Sequence, residues 1–511
     1  APSISRIQRW LTTLTSVVSK LDRTHSVLVN KVLSLPWTVM DDQFVAVYSR
    51  FVHGLVSARS EWIHLVVEKV VQGLHYLLPK EITRRLIYQR LHSLLRSILR
   101  LVPTLPSILW PILESSYPNK RENRDAHTCY TANLLKITTY CDELMEQIVK
   151  LTIDRCVKLD VEIQVEVEDW EDDDEPEPED DAELDAGECL ELDDLSSDDG
   201  QSSDENEPTN APSPASIRKV KELAAKLDGI LRCILDHLHA APEPRFQAEK
   251  ELFFDVLLSS FESCILRTQR TRHTQFVIFW YASVHPDFAD SLLATLVECA
   301  LYAYDDSTHP IVTRVASLGY IASLVSRARY IDKQTTRHVV SLLCARLEAG
   351  LVGEGNGNSY ALWYSIAQAV FYIFCFRWKD LLVGEDEEIE DEDSLSPGKQ
   401  VGRWLTGLKV LERAVSSHLN PLKACAPTVV SQFAKVAHQT NFIYCYNILR
   451  SNDRSGLNSS GKSRMDSFFP FDPCRLPLTL VYLEKIYRVW EGAPGDAEDG
   501  DEEDEDDEDE D

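Results

Sequence analysis

Carboxylate pairs and histidines are the residue types in this sequence that are best suited to chemistry. Paired carboxylates act as general acid and base when contrasting, structured environments separate their pKa values. Here the acids lie in dense runs, which are typical of solvated chain. The fourteen histidines, such as His75, His92 and His127, occur singly, and there is no HExxH motif. These patterns predict neither acid–base catalysis nor a metal site.

A glycine-rich stretch, Gly350–Gly357, is the segment closest to a phosphate cradle. A P-loop requires the pattern GxxxxGK[ST] between a strand and a helix, and neither this motif nor a GxGxxG or GxSxG motif in such a context occurs. The stretch follows a helical pattern and carries Glu354, so we interpret it as a helix cap and loop. The sequence therefore predicts no enzyme and no cofactor.

Charge is strongly segregated along the chain, whose net charge is -31. Residues 162–207 contain 24 acids and no Lys or Arg, residues 385–393 contain 8 acids, and residues 496–511 contain 14. The remaining 37 acids face all 52 Lys and Arg residues. The predicted folded body is therefore basic, whereas its appendages are acidic.

The twelve cysteines are scattered singly, without CxxC or Cys/His spacing of a zinc site. We expect most of them to be small buried residues. No signal peptide begins the sequence, and the longest apolar stretch, at residues 365–376, is too short for a bilayer. These features predict a soluble protein in a reducing, intracellular compartment.

Helical periodicity recurs almost everywhere outside the acidic runs. Between Glu81 and Val102 one apolar stripe alternates with arginines, and Pro103 and Pro106 follow it. Successive amphipathic segments without interleaved strands predict an all-α fold of paired antiparallel helices, a HEAT-type α-solenoid. A non-repetitive helical bundle is the structural alternative, because no tight sequence repeat is visible.

Composition also predicts the domain boundaries, because acidic segments poor in aromatic residues cannot offset the entropy of ordering. We expect N-terminal helical repeats at 1–168, a disordered acidic insert at 169–214, central repeats at 215–384, an acidic loop at 385–398, C-terminal repeats at 399–491 and a disordered acidic tail at 492–511.

Several strings of this sequence resemble, in order, motifs of the RNA polymerase I-specific transcription initiation factors, the transcription initiation factor IA family. They are Leu101–Thr104 with Tyr117–Lys120 ("LxPT…FPxK"), Tyr130–Lys136 ("YxxNLL"), Lys158–Val161 ("KLDV"), Arg314–Ile331 ("YIxSxxxRAKxI"), Ala367–Arg377 ("QAxxYxFxFR"), Leu419–Lys423 ("xNPLK"), and Phe468–Pro473 with Ile486–Trp490 ("FFPFDP…IYxxW"). Physically, most of these positions suit a core, and Arg327 or Arg377 would pair with acids between repeats rather than contact a partner.

The resemblance implies a HEAT-type factor, not an enzyme, that binds RNA polymerase I near its stalk and neighbouring subunits. It further implies recruitment of the polymerase to ribosomal DNA promoters through promoter-bound initiation factors, regulation by phosphorylation, and a homodimer of the free protein. The implied location is the nucleus and nucleolus. We expect no membrane partner and no strong direct binding to DNA.

The resemblance also implies a serine-rich polymerase-binding patch in the N-terminal half. The matching positions are Ser57, Ser60, Ser93, Ser97, Thr104 and Asp142. Asp142 stands where some relatives carry Ser, so one negative charge is built in. Added phosphate would bring nearly two negative charges to the interface.

Serines beside acids or proline are further candidates for phosphorylation. Those before acids suit an acid-directed kinase, and those before proline suit a proline-directed kinase: Ser196, Ser197, Ser202, Ser203, Ser213 and Ser396. An acidic-tailed HEAT adaptor of nuclear transport or chaperone type is the alternative function, because composition alone supports it equally well.

Overall fold

The computed structural model describes residues 4–76, 83–171, 214–240, 247–268, 271–302, 309–352, 357–383, 403–456, 465, 469–471 and 474–490. The predicted acidic loop and tail lie outside the described residues. So does the predicted insert, except that residues 169–171 end one helix and residue 214 begins the next. These two helices therefore extend slightly further into the insert than predicted.

The described chain forms two compact units. Unit 1 contains nearly all of the first ten helices, together with the later segment Leu476–Thr479. Its helices are α1 (Ile4–Ser16), α2 (Ser26–Leu33), α3 (Asp42–Ala58), α4 (Ile63–Gln72), α5 (Arg84–Leu101), α6 (Leu105–Ser115), α7 (Arg124–Thr138), α8 (Met145–Glu171), α9 (Pro214–His239) and α10 (Gln247–Ser260).

Alternate helices are neighbours in the first part of unit 1. Helix α3 contacts α1 and α5, whereas α4 contacts α2 and α6. Odd-numbered and even-numbered helices therefore form two layers, which is the arrangement that stacked helix pairs produce. The predicted all-α, HEAT-type fold is confirmed.

Helix α5 shows how the apolar stripe determines this packing. Leu91, Leu94, Leu95 and Ile98 are buried, as their spacing predicts, whereas the arginines at 96 and 100 are exposed. Asp41 begins the neighbouring α3, since its carboxylate accepts a hydrogen bond from the Phe44 N–H at 3.2 Å.

Unit 2 contains the remaining helices and one small sheet. The helices are α11 (Phe276–Ala282), α12 (Pro286–Val297), α13 (Ile311–Arg327), α14 (Lys333–Val352), α15 (Gly357–Arg377), α16 (Lys409–Ser416), α17 (Pro421–Ala424), α18 (Pro427–Gln439) and α19 (Tyr446–Gly456), and α20 (Pro477–Leu483) enters unit 2 at Leu480. Strands β1 (Leu382–Val383) and β2 (Arg403–Trp404) pair antiparallel. Strands of two residues are in keeping with the predicted all-α fold.

Three of the later strings that carry the family resemblance, at residues 314–331, 468–473 and 486–490, meet in unit 2. Ala328 forms an antiparallel bridge with Tyr487, where the Arg329 N–H donates to the Ile486 carbonyl at 2.9 Å. Phe471 packs edge-on against Tyr487, with ring centroids 5.7 Å apart. Segments far apart in the sequence thus share one aromatic cluster.

The described cysteines are free thiols, and eight of these eleven are buried. The prediction that most cysteines are small core residues is therefore confirmed. No helix in the described part of the chain is both long and apolar enough to span a bilayer.

Candidate interaction face on helices α3 and α5

Helices α3 and α5 run parallel in the odd-numbered layer. The Arg90 guanidinium on α5 donates to the carbonyls of Thr38 and Met40, each at 2.7 Å, and to the Asp42 carboxylate at the start of α3. Nearer the ends of both helices, His53 contacts Ser97. The carboxyl-terminal ends of both helices therefore lie on the same side of the layer.

Ser97 is half-buried and held in place by two hydrogen bonds. Its hydroxyl donates to the Leu94 carbonyl at 2.7 Å, and its oxygen lies 2.6 Å from His53 Nε2. A hydroxyl has one proton, so the imidazole N–H of His53 must be the donor. Burial lowers the pKa of His53, which favours this neutral imidazole.

Ser57 lies on the ridge of α3 that carries His53, and Ser93 lies on the ridge of α5 that carries Ser97. Ser57 follows His53 by four residues, and Ser93 precedes Ser97 by four, so each pair shares one face of its helix. Both serine side chains are exposed. The His53–Ser97 hydrogen bond thus brings together the ridges that carry three of the predicted residues.

Ser60 is exposed in the 3-10 helix Ser60–Trp62 that follows α3. Two contacts fix this turn. The Arg59 guanidinium donates to the Ser19 carbonyl at 2.9 and 2.6 Å, and the Trp62 indole N–H donates to the Leu21 carbonyl at 2.9 Å. Ser60 therefore sits on a rigid corner at the end of α3.

Thr104 is exposed just after α5, immediately before α6. Its carbonyl accepts a hydrogen bond from the Ser107 hydroxyl at 2.8 Å. Because α3 and α5 are parallel, Thr104 lies at the same ends of these helices as Ser60.

Asp142 is exposed in the 3-10 helix Asp142–Leu144, and Tyr140 connects this region to α5. The Tyr140 hydroxyl lies 2.8 Å from His92 Nδ1, and the Arg96 guanidinium lies over the Tyr140 ring at 5.3 Å. We define the docking face as Ser57, Ser60, Ser93, Ser97, Thr104 and Asp142.

The residues that connect this face were not predicted from the sequence. His53, Arg90 and Tyr140 act through partners more than forty residues away. A lone histidine is typical of a helix edge, so the sequence carries no signal that pairs His53 with a serine on another helix.

Arg377 and Phe469, by contrast, are structural. Arg377 is 2% exposed, and its guanidinium donates to Asp380 and to the carbonyls of Val325 and Ile331. Phe469 is buried and stacks on Tyr372, with ring centroids 3.8 Å apart. Both side chains therefore lie in the core, but the acid that pairs with Arg377 is Asp380, three residues later, rather than an acid of another repeat.

The candidate phosphorylation serines from 196 to 213, and Ser396, lie outside the described residues. No group of three or more His, Cys, Asp or Glu side chains that could hold a metal ion occurs within the described part of the chain. The docking face carries five hydroxyl groups and one carboxylate.

Comparison with known proteins gives consistent matches. Residues 1–495 match the family described as RNA polymerase I specific transcription initiation factor RRN3. The RNA polymerase I-specific transcription initiation factor rrn3 of Schizosaccharomyces pombe is 34% identical over 508 residues, covering 98% of this chain and 82% of the relative. The Mus musculus factor RRN3 is 30% identical, covering 97% of this chain and 76% of the relative.

A solved structure shows the same architecture. The crystal structure of RNA polymerase I transcription initiation factor Rrn3 has a TM-score of 0.73 and 25% sequence identity, covering 94% of this chain and 90% of that chain.

Proposed function

Because the chain belongs to the family of RNA polymerase I-specific transcription initiation factors described as RRN3, we propose that it binds RNA polymerase I through the docking face and recruits it to ribosomal DNA promoters. The chain is therefore an initiation factor rather than an enzyme, and its expected location is the nucleus. The family match over residues 1–495 is the observation that carries this conclusion.

The finer parts of the proposal concern partners and location. The polymerase stalk and neighbouring subunits are the proposed contacts, and promoter-bound initiation factors are the proposed second partner. A homodimer of the free protein and a nucleolar location complete the proposal. The packing supports the choice of face, because the His53–Ser97 hydrogen bond joins α3 and α5, the helices that carry the exposed Ser57 and Ser93.

Phosphorylation of this face is the proposed means of regulation. A phosphate adds nearly two negative charges and must be desolvated or paired when an interface forms. Ser57 and Ser93 are the exposed positions where this charge would meet a partner directly. Ser97 is less suited, because its hydroxyl already bonds Leu94 and His53.

Replacement of Ser93 by Asp tests the proposed face. We expect Ser93→Asp to weaken binding to purified RNA polymerase I by about tenfold or more, since a buried or opposed charge typically costs 1 to 3 kcal/mol. Ser93→Ala should bind within about twofold of the parent, because it removes only an exposed hydroxyl. Surface-immobilised polymerase and biolayer interferometry would measure both.

Ser26→Asp is the matched control. Ser26 is exposed at the start of α2 in the other layer, where a helix N-terminus tolerates a carboxylate. If Ser93→Asp and Ser26→Asp both bind as tightly as the parent, the docking face is misplaced, although family membership stands.

A further inference from the structure

Arginines are concentrated in one of the two layers of unit 1. Helices α1, α3 and α5 contain eight arginines, no lysine and one acid, Asp42. Helices α2, α4 and α6 contain two lysines and two glutamates. A chain of net charge -31 thus keeps an almost purely arginine layer beside an electrically balanced one.

Most of these guanidinium groups have no hydrogen-bond or ion-pair partner among the described residues. Arg90 takes up Asp42, and Arg84 lies over the Tyr76 ring and near the Cys129 sulfur. Arg96 contacts only the Tyr140 ring. The other five make no hydrogen bond or ion pair with any described residue: Arg6, Arg9, Arg50, Arg85 and Arg100.

Three exposed arginines that form no hydrogen bond or ion pair with any described residue border the docking face, and one of them, Arg96, also lies over the Tyr140 ring. Arg50 precedes His53 by one turn of α3, and Arg96 is adjacent to Ser97 on α5. Arg100 follows Arg96 by one further turn, so both point to the same side of α5. All three side chains are exposed.

A cleft beside Arg50 extends this surface towards α1. It has a volume of about 210 Å³ and is lined by Thr12, Thr15, Ser16, Val47 and Arg50. The three hydroxyls donate to carbonyls of their own helix, which leaves their oxygens as acceptors. Arg50 is therefore the one cationic donor among the lining residues.

We propose that Arg50, Arg96 and Arg100 form a binding surface for an acidic polypeptide segment of the partner. A guanidinium has five donors in a planar fork that matches a carboxylate, and unpaired arginines spaced by one helical turn suit successive carboxylates. This inference rests on the proposed function and deepens it, because it names the chemistry of the docking partner.

The composition of the surface favours a polypeptide over a nucleic acid. Sites for single strands interleave basic side chains with aromatic platforms for base stacking. The exposed ridges of α3 and α5 carry Gln43, Arg50 and Ser57, and Gln89, Ser93 and Arg96, without an aromatic residue. Lysine, a common phosphate ligand, is absent from all three helices.

The arginine surface also changes how phosphorylation of Ser93 would affect partner binding. A phosphate on Ser93 would lie one turn from Arg96, within reach of an (i, i+3) ion pair. It would occupy a guanidinium that the partner's carboxylate needs. Phosphate would then compete with the acidic segment for the arginines.

Fluorescence anisotropy with the full chain tests the surface independently of the polymerase. The probe is a labelled 20-residue poly-glutamate at about 50 mM salt, and a 20-nucleotide single-stranded DNA is measured in parallel. We expect the Arg96→Gln/Arg100→Gln variant to bind poly-glutamate at least tenfold more weakly than the parent. A Lys31→Gln/Arg121→Gln variant loses the same charge elsewhere and should bind within twofold of the parent.

Three results would overturn the inference. One is equal loss in both double variants, because binding would then follow net charge alone. The second is tighter binding of the DNA at these same arginines, which would make the surface a nucleic-acid site. The third is absence of poly-glutamate binding to the parent.

Binding to purified polymerase separates this inference from the proposed function. We expect Arg96→Gln/Arg100→Gln to weaken polymerase binding at least tenfold, and Ser93→Asp to add little in that background, since both act on the same arginines. If the parent binds the polymerase and the arginine variant binds equally well, the inference fails while the function stands. In another outcome, the parent does not bind the polymerase, and poly-glutamate binds the parent but not the arginine variant. The proposed function then fails while the arginine surface stands.

Discussion

His92 is buried beneath the docking face as a neutral imidazole. Its Nε2 lies 3.1 Å from the Asn133 amide oxygen, and its Nδ1 lies 2.8 Å from the Tyr140 hydroxyl. Since Asn133 accepts from Nε2–H, Nδ1 accepts from the tyrosine. Burial lowers the pKa of His92 to about 4, because a charged ring would lose its hydration.

This lowered pKa predicts a loss of stability in mild acid. The unfolded chain binds a proton near pH 6.5, whereas the folded chain binds it near pH 4, so the contribution is complete above pH 6.5 and is lost between these values. At pH 5 the loss is about 2 kcal/mol. Urea unfolding at pH 7.5 and 5.0 should show a smaller pH dependence for His92→Gln than for the parent.

Exposed His64 supplies the control for this experiment. The same urea unfolding on His64→Gln controls for the loss of a histidine that is not buried. Equal pH dependence in the parent and in His92→Gln would show that His92 titrates alike in the folded and unfolded chain.

Ser97 predicts a second effect at residue scale. Ser97→Ala leaves the His53 N–H without its partner, and a half-buried unpaired donor costs about 1 kcal/mol of unfolding free energy. Ser93→Ala, at an exposed site one turn away, should cost less than about 0.5 kcal/mol. Chemical denaturation would compare the two, and equal stability would mean that the His53–Ser97 bond contributes nothing.

For single residues, sequence patterns predict solvent exposure better than they predict contacts with other helices. Ser93 lies off the apolar stripe of α5 and is exposed, as the helical period requires. Ser97 lies on the same side but is half-buried, because α3 packs against it at His53, 44 residues earlier. Periodicity describes one helix and contains no information on the side chains of another.

Helix packing in unit 1 depends on close approach of α7 and α9. A methyl group at Gly229 would lie 2.4 Å from Thr128 Cγ2, so Gly229→Ala must shift the Thr128 side chain or move one helix away from the other. We expect a loss of about 1 to 3 kcal/mol in unfolding free energy, as for other overpacked sites. Thr128→Ser, which removes that methyl group and keeps the hydroxyl, should restore much of the loss.

Gly54 on α3 is the matched glycine. A methyl group there would make ordinary contacts, 3.7 Å from Val18 and 3.8 Å from Thr15. Gly54→Ala should stabilise unit 1 by about 0.5 to 1 kcal/mol through reduced freedom of the unfolded chain. Similar melting temperatures for Gly54→Ala and Gly229→Ala would refute the close-packing argument.

Most of the long helices follow from apolar periodicity, but prolines conceal others. Helix α6 was not predicted, because Pro103 and Pro106 end the preceding pattern. Pro106 in fact lies in the first turn of α6, where its missing N–H is not needed, and Pro111 lies inside the helix. Helix α12 likewise begins at a proline, Pro286.

At the scale of the whole molecule, a buried carboxylate in unit 1 binds a segment that lies far away in the sequence. Asp228 on α9 is 4% exposed and accepts hydrogen bonds from the Leu478 and Thr479 N–H groups, each at 2.9 Å. The Thr479 hydroxyl donates to the same carboxylate at 2.7 Å. These contacts cap the first turn of α20.

Asp228→Asn tests this cap. The amide cannot accept on both atoms, so we expect a loss of about 2 kcal/mol and faster amide hydrogen exchange at residues 476–479. Asp236→Asn removes an exposed (i, i+4) partner of Arg232 on the same helix and should cost less than about 0.5 kcal/mol. Unchanged exchange at 476–479 in Asp228→Asn would show that other contacts hold the segment.

The Asp228 cap also sets an order of events during synthesis. Thr479 leaves the ribosome 251 residues after its partner, which at 5 to 20 residues per second is a delay of roughly 10 to 50 s. Through that interval the nascent amino-terminal unit must keep the Asp228 carboxylate hydrated. Unit 1 is thus the first part of the chain to be synthesised, but its last segment is made near the end of synthesis. A ribosome that stalls before residue 479 leaves the Asp228 carboxylate without its Thr479 partner.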